Sequence, residues 1–322
     1  MFAGVNVRKD IRDRLRSCDT SPQEREPLGW GHGEDRMFTK SLLCRAVLAA
    51  SIAVGLAARA GAEESANPNF TSIDSGWLLQ GGIDFRPIPG KLPPVSYDPA
   101  YPSVGQGNQR GVMERMSDAS NPNLKPWAQA EMRGYNQDVL NGHRGFSSQS
   151  RCWPGGVPGQ MLFPAEPIFF IQTPKEVWII WQRDQHVRRI YLNQEHTKYP
   201  KPSWNGESIG HYENGELVID TIGFVEHPFF FVDNWRTPHT KDMHVVERFK
   251  LVNEGKAIED TVTVEDPGTF YQPWSGTVRW QKVDRGPIIE SICAENNAAF
   301  EKYFTNLKEY PMPQAKNDTP EF

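Results

Sequence analysis

Cysteine is scarce in this chain, apolar runs are short and basic residues are outnumbered, and each shortage excludes something. Only 4 cysteines occur among 322 residues and none form a Cys-x-x-Cys pair, so neither a thiol-redox motif nor a cysteine-rich zinc site is encoded. No His-Glu-x-x-His motif occurs and no serine-nucleophile elbow is expected, which sets aside the signatures of zinc proteases and of serine hydrolases. Lys and Arg number 35 against 40 Asp and Glu, and a net charge of −5 makes nucleic acid a poor partner. The long apolar stretch at 46–58 falls short of the roughly 20 residues that cross a bilayer, so no stable membrane anchor is expected.

What the chain does carry near its start is a targeting pattern. Residues 37–45 hold positive charge, 46–58 are apolar and small, and Ala60-Gly61-Ala62 offers the small-x-small pattern that signal peptidases cut. This predicts a signal peptide at 37–62 and a mature chain, periplasmic or secreted, from residue 63. Residues 1–36, Arg-rich and without periodicity, read as a mis-assigned start; a cytoplasmic tail ahead of an uncleaved anchor is the competing reading. Without 1–62 the chain loses ten basic and seven acidic residues, and its net charge falls from −5 to −8. Cys152 and Cys293 are then the remaining cysteines. In an oxidising compartment they are expected to pair, closing a loop of about 140 residues worth roughly 4 to 5 kcal/mol of chain entropy. Two free thiols are the alternative.

Residues 63–150 are rich in Pro and Gly and predict an irregular segment lying over a core, with one helix at 125–140 opened by Pro126. Trp127, Ala130, Met132, Val139 and Leu140 give that helix an imperfect apolar stripe. From 151 to 310 the pattern changes to short β-rich segments parted by turns. Strands are expected at 167–173, 176–183, 187–193, 207–213, 216–222, 243–251, 257–264, 277–283 and 288–293. The fold class is therefore mainly β: an antiparallel meander closing into a lipocalin-like β-barrel with a few short helices, a β-sandwich being second. Residues 294–307 have helical propensity, and 311–322 read as a loose tail. Asn214-Gly215 is a strong two-residue hairpin signal that sets Glu213 opposite Glu216, Tyr212 opposite Leu217 and His211 opposite Val218.

That register gathers chemistry. His211 and Glu213 share one strand face, Asp220 lies on the same face, and a carboxylate beside an imidazole suits acid–base work; solvent-facing sheet residues near a turn are the alternative reading of His211 and Glu213. Residues 235–244 carry His239 in a loop and His244 at a strand start, and Glu247 falls on the face of Val245 and Phe249, turned inward. An ion pair with Arg189 or Arg279 is one reading of Glu247; a raised-pKa acid is the other. His211, Asp220, His227, His239 and His244 form a dispersed set in which a metal site needs at least three ligands, so no cofactor is assigned although a metal stays open. Phe224, Phe229, Phe230, Phe231 and Trp235 form an aromatic loop that reads as core or as a lid over a small apolar ligand.

The run 206–221 (Gly-Glu-Ser-Ile-Gly-His-Tyr-Glu-Asn-Gly-Glu-Leu-Val-Ile-Asp-Thr) resembles the signature of a large group of exported bacterial proteins of uncharacterised function. Arg188-Arg189-Ile190-Tyr191, Thr237-Pro238-His239-Thr240, Val246-Glu247-Arg248-Phe249, Glu265-Asp266-Pro267, Pro273-Trp274 and Cys293-Ala294-Glu295-Asn296 resemble its other motifs. The resemblance implies that His211, Glu213, Asp220, His239, Glu247 and Arg248 occupy the group's polar motif positions, and it supplies no reaction. Tyr212 in place of the usual Trp, and Asn193-Gln194-Glu195-His196 in place of an Asp-Gly-Arg turn, imply a distinct subgroup. The expected function is acid–base chemistry of lyase, hydratase or isomerase type on a small, partly apolar or aromatic molecule. His239 and His211 would transfer protons, with Glu213 or Asp220 orienting them. Glu247 with Arg248 or Arg189 would polarise the substrate, His244 would contact it, and Trp181, Phe230 and Trp235 would form walls. A lipocalin-like carrier is the alternative, a surface or envelope structural module is a third reading that a barrel filled by its own side chains would favour, and the oligomeric state is left open.

Overall fold

The computed structural model describes residues 67–101, 115–142, 148, 152–163 and 165–295. All lie in the compact unit Glu64–Phe322. The expectations for 1–36, for the signal peptide at 37–62, for the helix at 294–307 beyond residue 295 and for the tail at 311–322 fall outside the described residues.

The strands are β1 (Gly76–Gln80), β2 (Arg86–Pro87), β3 (Ile168–Gln172), β4 (Glu176–Trp181) and β5 (Val187–Leu192), followed by β6 (Glu207–Glu213), β7 (Glu216–Ile222), β8 (His244–Val252), β9 (Ala257–Glu265) and β10 (Trp274–Val283). Nine of them form a closed ring in the order β1, β3 through β10 and back to β1, with β2 a short addition on β10. Closure pairs each of the nine ring strands on both sides and leaves only the two-residue β2 as an edge. The expected barrel is present, with three differences in its make-up.

First, the sheet is mixed: β5 and β6 are parallel, Ile190 facing Ser208 and Leu192 facing Gly210. Parallel neighbours need a crossover of about a dozen residues, and the 193–206 connection supplies it. Second, the closing strand β1 comes from the Pro/Gly-rich segment, pairing along β10 from Gly76 opposite Val283 to Gln80 opposite Arg279. Third, 288–293 is not a strand, because β1 already holds the edge of β10 it would need. That segment instead ties down the β4–β5 connection: Asp184 N–H donates to the Ser291 carbonyl at 2.7 Å and Cys293 N–H to Asp184 Oδ1 at 2.8 Å. The Cys152–Cys293 disulfide forms as expected, across a separation of 141 residues.

The Asn-Gly hairpin holds the expected register from Glu213 opposite Glu216 to Glu207 opposite Ile222. Asn214 (φ 52°) and Gly215 (φ 78°) both adopt the left-handed conformation that such a turn requires. Helix α1 (Pro126–Leu140) begins at Pro126, but it buries Ala128, Met132, Asn136 and Val139, a 4-4-3 spacing, while Trp127 and Leu140 stay exposed. Two 3₁₀ turns, Gly159–Leu162 and Arg183–Gln185, complete the helical structure among the described residues. Inside the barrel, alternate positions bring together Phe170, Ile179, Trp181, Ile190, Leu217, Ile219, Phe249, Val262 and Trp280, all at most 1% exposed. Phe249 and Trp280 stack at 6.0 Å, so the interior is built as a core instead of an open cup.

Candidate functional site: a histidine cleft at one barrel end

The connection between β7 and β8, residues 223–243, folds over one end of the barrel and is shaped by two buried carboxylates. Asp233 Oδ1 accepts from the Trp235 N–H at 2.8 Å and the Thr237 N–H at 3.2 Å, and Oδ2 accepts from the Thr237 hydroxyl at 2.8 Å. This Asx-type turn places Arg236 at φ 62°. Burial pushes the Asp233 carboxyl up to about 6, against the bonds from Thr237 and Trp235. Asp266, after β9, is the second clamp. Its Oδ2 accepts from the Thr240 N–H at 2.7 Å and its Oδ1 from the Thr240 hydroxyl at 2.6 Å, while Gly268 N–H and the Thr269 hydroxyl bind its remaining positions. Two segments singled out separately in the sequence, 237–240 and 265–267, thus meet at one carboxylate.

Between the clamps sits His239, 9% exposed. Its Nδ1 lies 2.9 Å from the Thr240 carbonyl, an acceptor, so Nδ1 carries the proton and Nε2 keeps its lone pair. Nε2 is buried and has no hydrogen-bond partner. Burial lowers the His239 pKa below 6.5, opposed by the Thr240 bond and by the nearby carboxylates of Asp266 and Glu226. The Phe230 ring meets the imidazole edge-on at 4.3 Å.

His239 lines a cleft of about 240 Å³ whose aromatic walls are Trp127, Phe230 and Phe231. Pro228 and Pro238 add rigid apolar surface, and Glu131, Glu226 and His227 bring the other titratable groups. Helix α1 contributes Trp127 and Glu131 and is fixed to the same β9–β10 loop that holds Thr240. The Trp127 indole N–H donates to the Gly268 carbonyl at 2.7 Å, and Lys125 N–H to the Thr269 carbonyl at 2.8 Å. Glu131 Oε1 accepts from the Tyr135 hydroxyl at 2.5 Å; burial and that bond raise the Tyr135 pKa far above its ordinary value. Glu226 Oε1 accepts from the Lys241 backbone N–H at 3.2 Å. His227 accepts at Nδ1 from the Phe229 N–H at 3.2 Å, and burial lowers its pKa.

The other residues read from the sequence do not join this cleft. His211 and Glu213 are side by side as expected, 3.4 Å apart, but they face outward with side chains 50% and 43% exposed. Arg248 lies on the same outer face and bridges Glu213 at 3.1 Å and Glu216 at 3.2 Å. Arg189 is outward as well, paired with Glu176 at 2.8 Å and lying over the rings of Trp178 and Tyr191. Asp220 and His244 do meet, also on the outer face: Asp220 Oδ1 is 2.9 Å from His244 Nε2 and 2.9 Å from His196 Nε2. His196 Nδ1 faces Glu207 at 3.0 Å. His196 was not read as a site residue, since it sits in an irregular connection without periodicity to place it. Burial alone would raise the Asp220 carboxyl, but the bonds from His244 and His196 hold it low, and the Asp220 bond in turn holds His244 up. Among the described residues no group of three His, Cys, Asp or Glu is placed to hold a metal ion. Trp235 is buried under the Arg115 guanidinium, 4.4 Å from its ring, and Trp181 belongs to the barrel interior.

Glu247 turns inward, as its position between Val245 and Phe249 predicts, but its partner is neither Arg189 nor Arg279. Arg188 shares the inner face with Ile190, so its guanidinium reaches both carboxyl oxygens of Glu247, at 3.0 and 2.5 Å, with both side chains fully buried. Arg188 also donates to Ser208 at 3.1 Å and to Thr221 at 2.9 Å. Burial, then the nearby Glu247, raises the Asp260 carboxyl well above its usual range. The letters of a nucleophile elbow, Gly-x-Ser-x-Gly, are in fact present at 206–210, which the sequence reading overlooks. Ser208 nevertheless lies within β6, facing Arg188 and Thr221, and no strand-turn-helix surrounds it.

Compared with models of protein families, with curated proteins and with solved structures, the chain finds no match.

Proposed function

We propose that the chain is an exported enzyme performing acid–base chemistry, of lyase, hydratase or isomerase type, on a small, partly apolar or aromatic molecule bound in the His239 cleft. Export rests on the targeting pattern at 37–62. The observation that carries the catalytic reading is the buried, unpartnered Nε2 of His239, a residue that lines an aromatic cleft. A neutral imidazole whose tautomer is fixed by a backbone carbonyl keeps the uncommitted lone pair that a general base needs. The base accepts a proton from a substrate C–H or O–H at Nε2, the electron pair stays on the substrate, and the imidazolium returns the proton to the product or to water. Glu226 and Asp266 favour that imidazolium through space. A carrier of lipocalin-like form would hold its ligand inside the barrel, where Phe170, Trp181, Phe249 and Trp280 lie, so the outer cleft supports catalysis instead.

A substrate-independent test is solvent exchange. Single-ring candidates are incubated with the protein in D₂O and read by mass spectrometry; a base that removes a C–H proton exchanges it for deuterium. His239→Gln, which keeps the volume, should cut exchange by roughly 10²- to 10⁴-fold with melting unchanged. Because burial lowers the His239 pKa, the base form persists through neutrality and the acid limb of the rate profile should lie below pH 6.5. Equal exchange by wild type and variant, or a parallel collapse of melting, would defeat the assignment.

A further inference from the structure

We infer that the substrate is a small organic cation, an ammonium group carried next to one ring; this deepens the proposal above and rests on the same cleft. The argument begins from what its walls can accept and donate. The titratable groups on the wall are Glu131, Glu226, His227 and His239, with no Lys or Arg among the lining residues. Burial lowers the pKa of both histidines, so neither supplies a positive charge against the two carboxylates at neutral pH. The Trp127 indole N–H is taken by the Gly268 carbonyl, and Pro228 and Pro238 have no backbone N–H to offer. A carboxylate or phosphate substrate would meet two like charges and few donors.

An ammonium ion finds the complementary set. It pairs with Glu131 or Glu226, and the faces of Trp127, Phe230 and Phe231 accept its adjacent C–H groups and its charge. The acidic pair does not stand alone, since it shares an aromatic-walled cleft of about 240 Å³ with the buried His239, whose Nε2 has no partner. Size narrows the choice further: about 240 Å³ is below the usual range for drug-sized ligands of roughly 300 Å³ and upward, which fits one ring with a short amine side chain.

Three probes of matched shape test the charge: benzyltrimethylammonium, benzyl alcohol and benzoate, titrated into the purified protein by calorimetry and by ligand-observed NMR. The cation should bind at least tenfold tighter than the alcohol, with benzoate weakest. Glu131→Gln with Glu226→Gln should erase that preference at unchanged melting, and His211→Ala, on the outer barrel face, should leave cation binding within about threefold. Benzoate binding as tightly as the cation, a preference that survives the double Gln variant, or no saturable binding of the cation would each overturn the inference. Failure of the base reading is seen separately, as deuterium exchange unaffected by His239→Gln while the cation preference persists.

Discussion

Arg188→Met is the substitution whose cost can be worked furthest from the structure. Met keeps the apolar stem and removes the guanidinium that both oxygens of Glu247 accept from, leaving a carboxylate in the barrel core. In that setting the carboxylate takes up a proton instead of remaining charged. An ordinary Glu titrates near pH 4.3 in the unfolded chain, so keeping it protonated at pH 7 costs about 4 kcal/mol, and at pH 5 about 1 kcal/mol. The sign follows directly. A carboxyl whose folded pKa has been raised above its unfolded value stabilises below the unfolded pKa, and that stability is lost as pH rises toward the folded one. Lost bonds to Ser208 and Thr221 add on the order of 1 kcal/mol at either pH. Urea unfolding followed by tryptophan fluorescence should therefore show Arg188→Met destabilised relative to wild type by roughly 3 kcal/mol more at pH 7 than at pH 5. Adding Glu247→Gln should recover most of that difference. A loss equal at both pH values would mean that Glu247 stays ionised without Arg188, and the account of a dry, paired interior would be wrong.

Two further predictions separate the cleft from the outer face. A Cβ at Gly268 would lie 2.4 Å from Thr240 Cγ2, so Gly268→Ala should push Thr240 off Asp266, cost about 1 to 3 kcal/mol and abolish the His239-dependent exchange. Melting and the D₂O assay read the two effects; an unchanged exchange rate would show that the Asp266–Thr240 clamp does not position His239. His211→Ala removes a half-exposed side chain from a surface pair, so stability should change by less than about 1 kcal/mol and exchange not at all. A large loss of exchange there would move the site to the His196–Asp220–His244 strip.

Much of the barrel was legible in the sequence because its strands are bounded by turns whose chemistry is local. Asn214-Gly215 sets a register by itself, and strands β3 to β10 follow from alternation between turn residues. What escaped was decided by distant partners. Strand β1 is five residues, Gly-Trp-Leu-Leu-Gln, in a Pro/Gly-rich context, and pairing with the distant β10, with one bridge to β3, makes it a strand. The 14-residue length of the 193–206 connection is the one local signal of the parallel crossover between β5 and β6. For the site, alternation showed which side chains share a face but not which face is inside. On β6 the inner face is Ser208, Gly210 and Tyr212, the opposite of the apolar-in rule, because Arg188 reaches Ser208 and a Cβ at Gly210 would come within 2.9 Å of Ile190 Cγ2. The pairing of His211 with Glu213 follows from the sequence, but the choice between barrel interior and solvent does not, and the side they take is solvent. His239 was legible as a histidine in a Thr-Pro-His-Thr loop; the two carboxylates that hold it, Asp233 and Asp266, are joined to it only by the fold.

Joining the first strand to the last has a consequence for the order in which the molecule assembles. Gly76 pairs with Val283, so the ring cannot shut until nearly the whole barrel sequence has been synthesised. The contiguous β6–β9 run can form early from local hairpins and β1 can meet β3 at Trp77 and Ile168, but β10 must arrive before β1 is paired along its length and β2 finds a partner. Closing a loop of roughly two hundred residues places this step among the slow, non-local events of folding. Helix α1 lies between β2 and β3 in the chain and docks on the β9–β10 loop, so the wall that carries Trp127 and Glu131 also waits on a distant part of the chain. A nascent chain ending before Trp274 would hold its hairpins and His239, yet would lack the strand that encloses them.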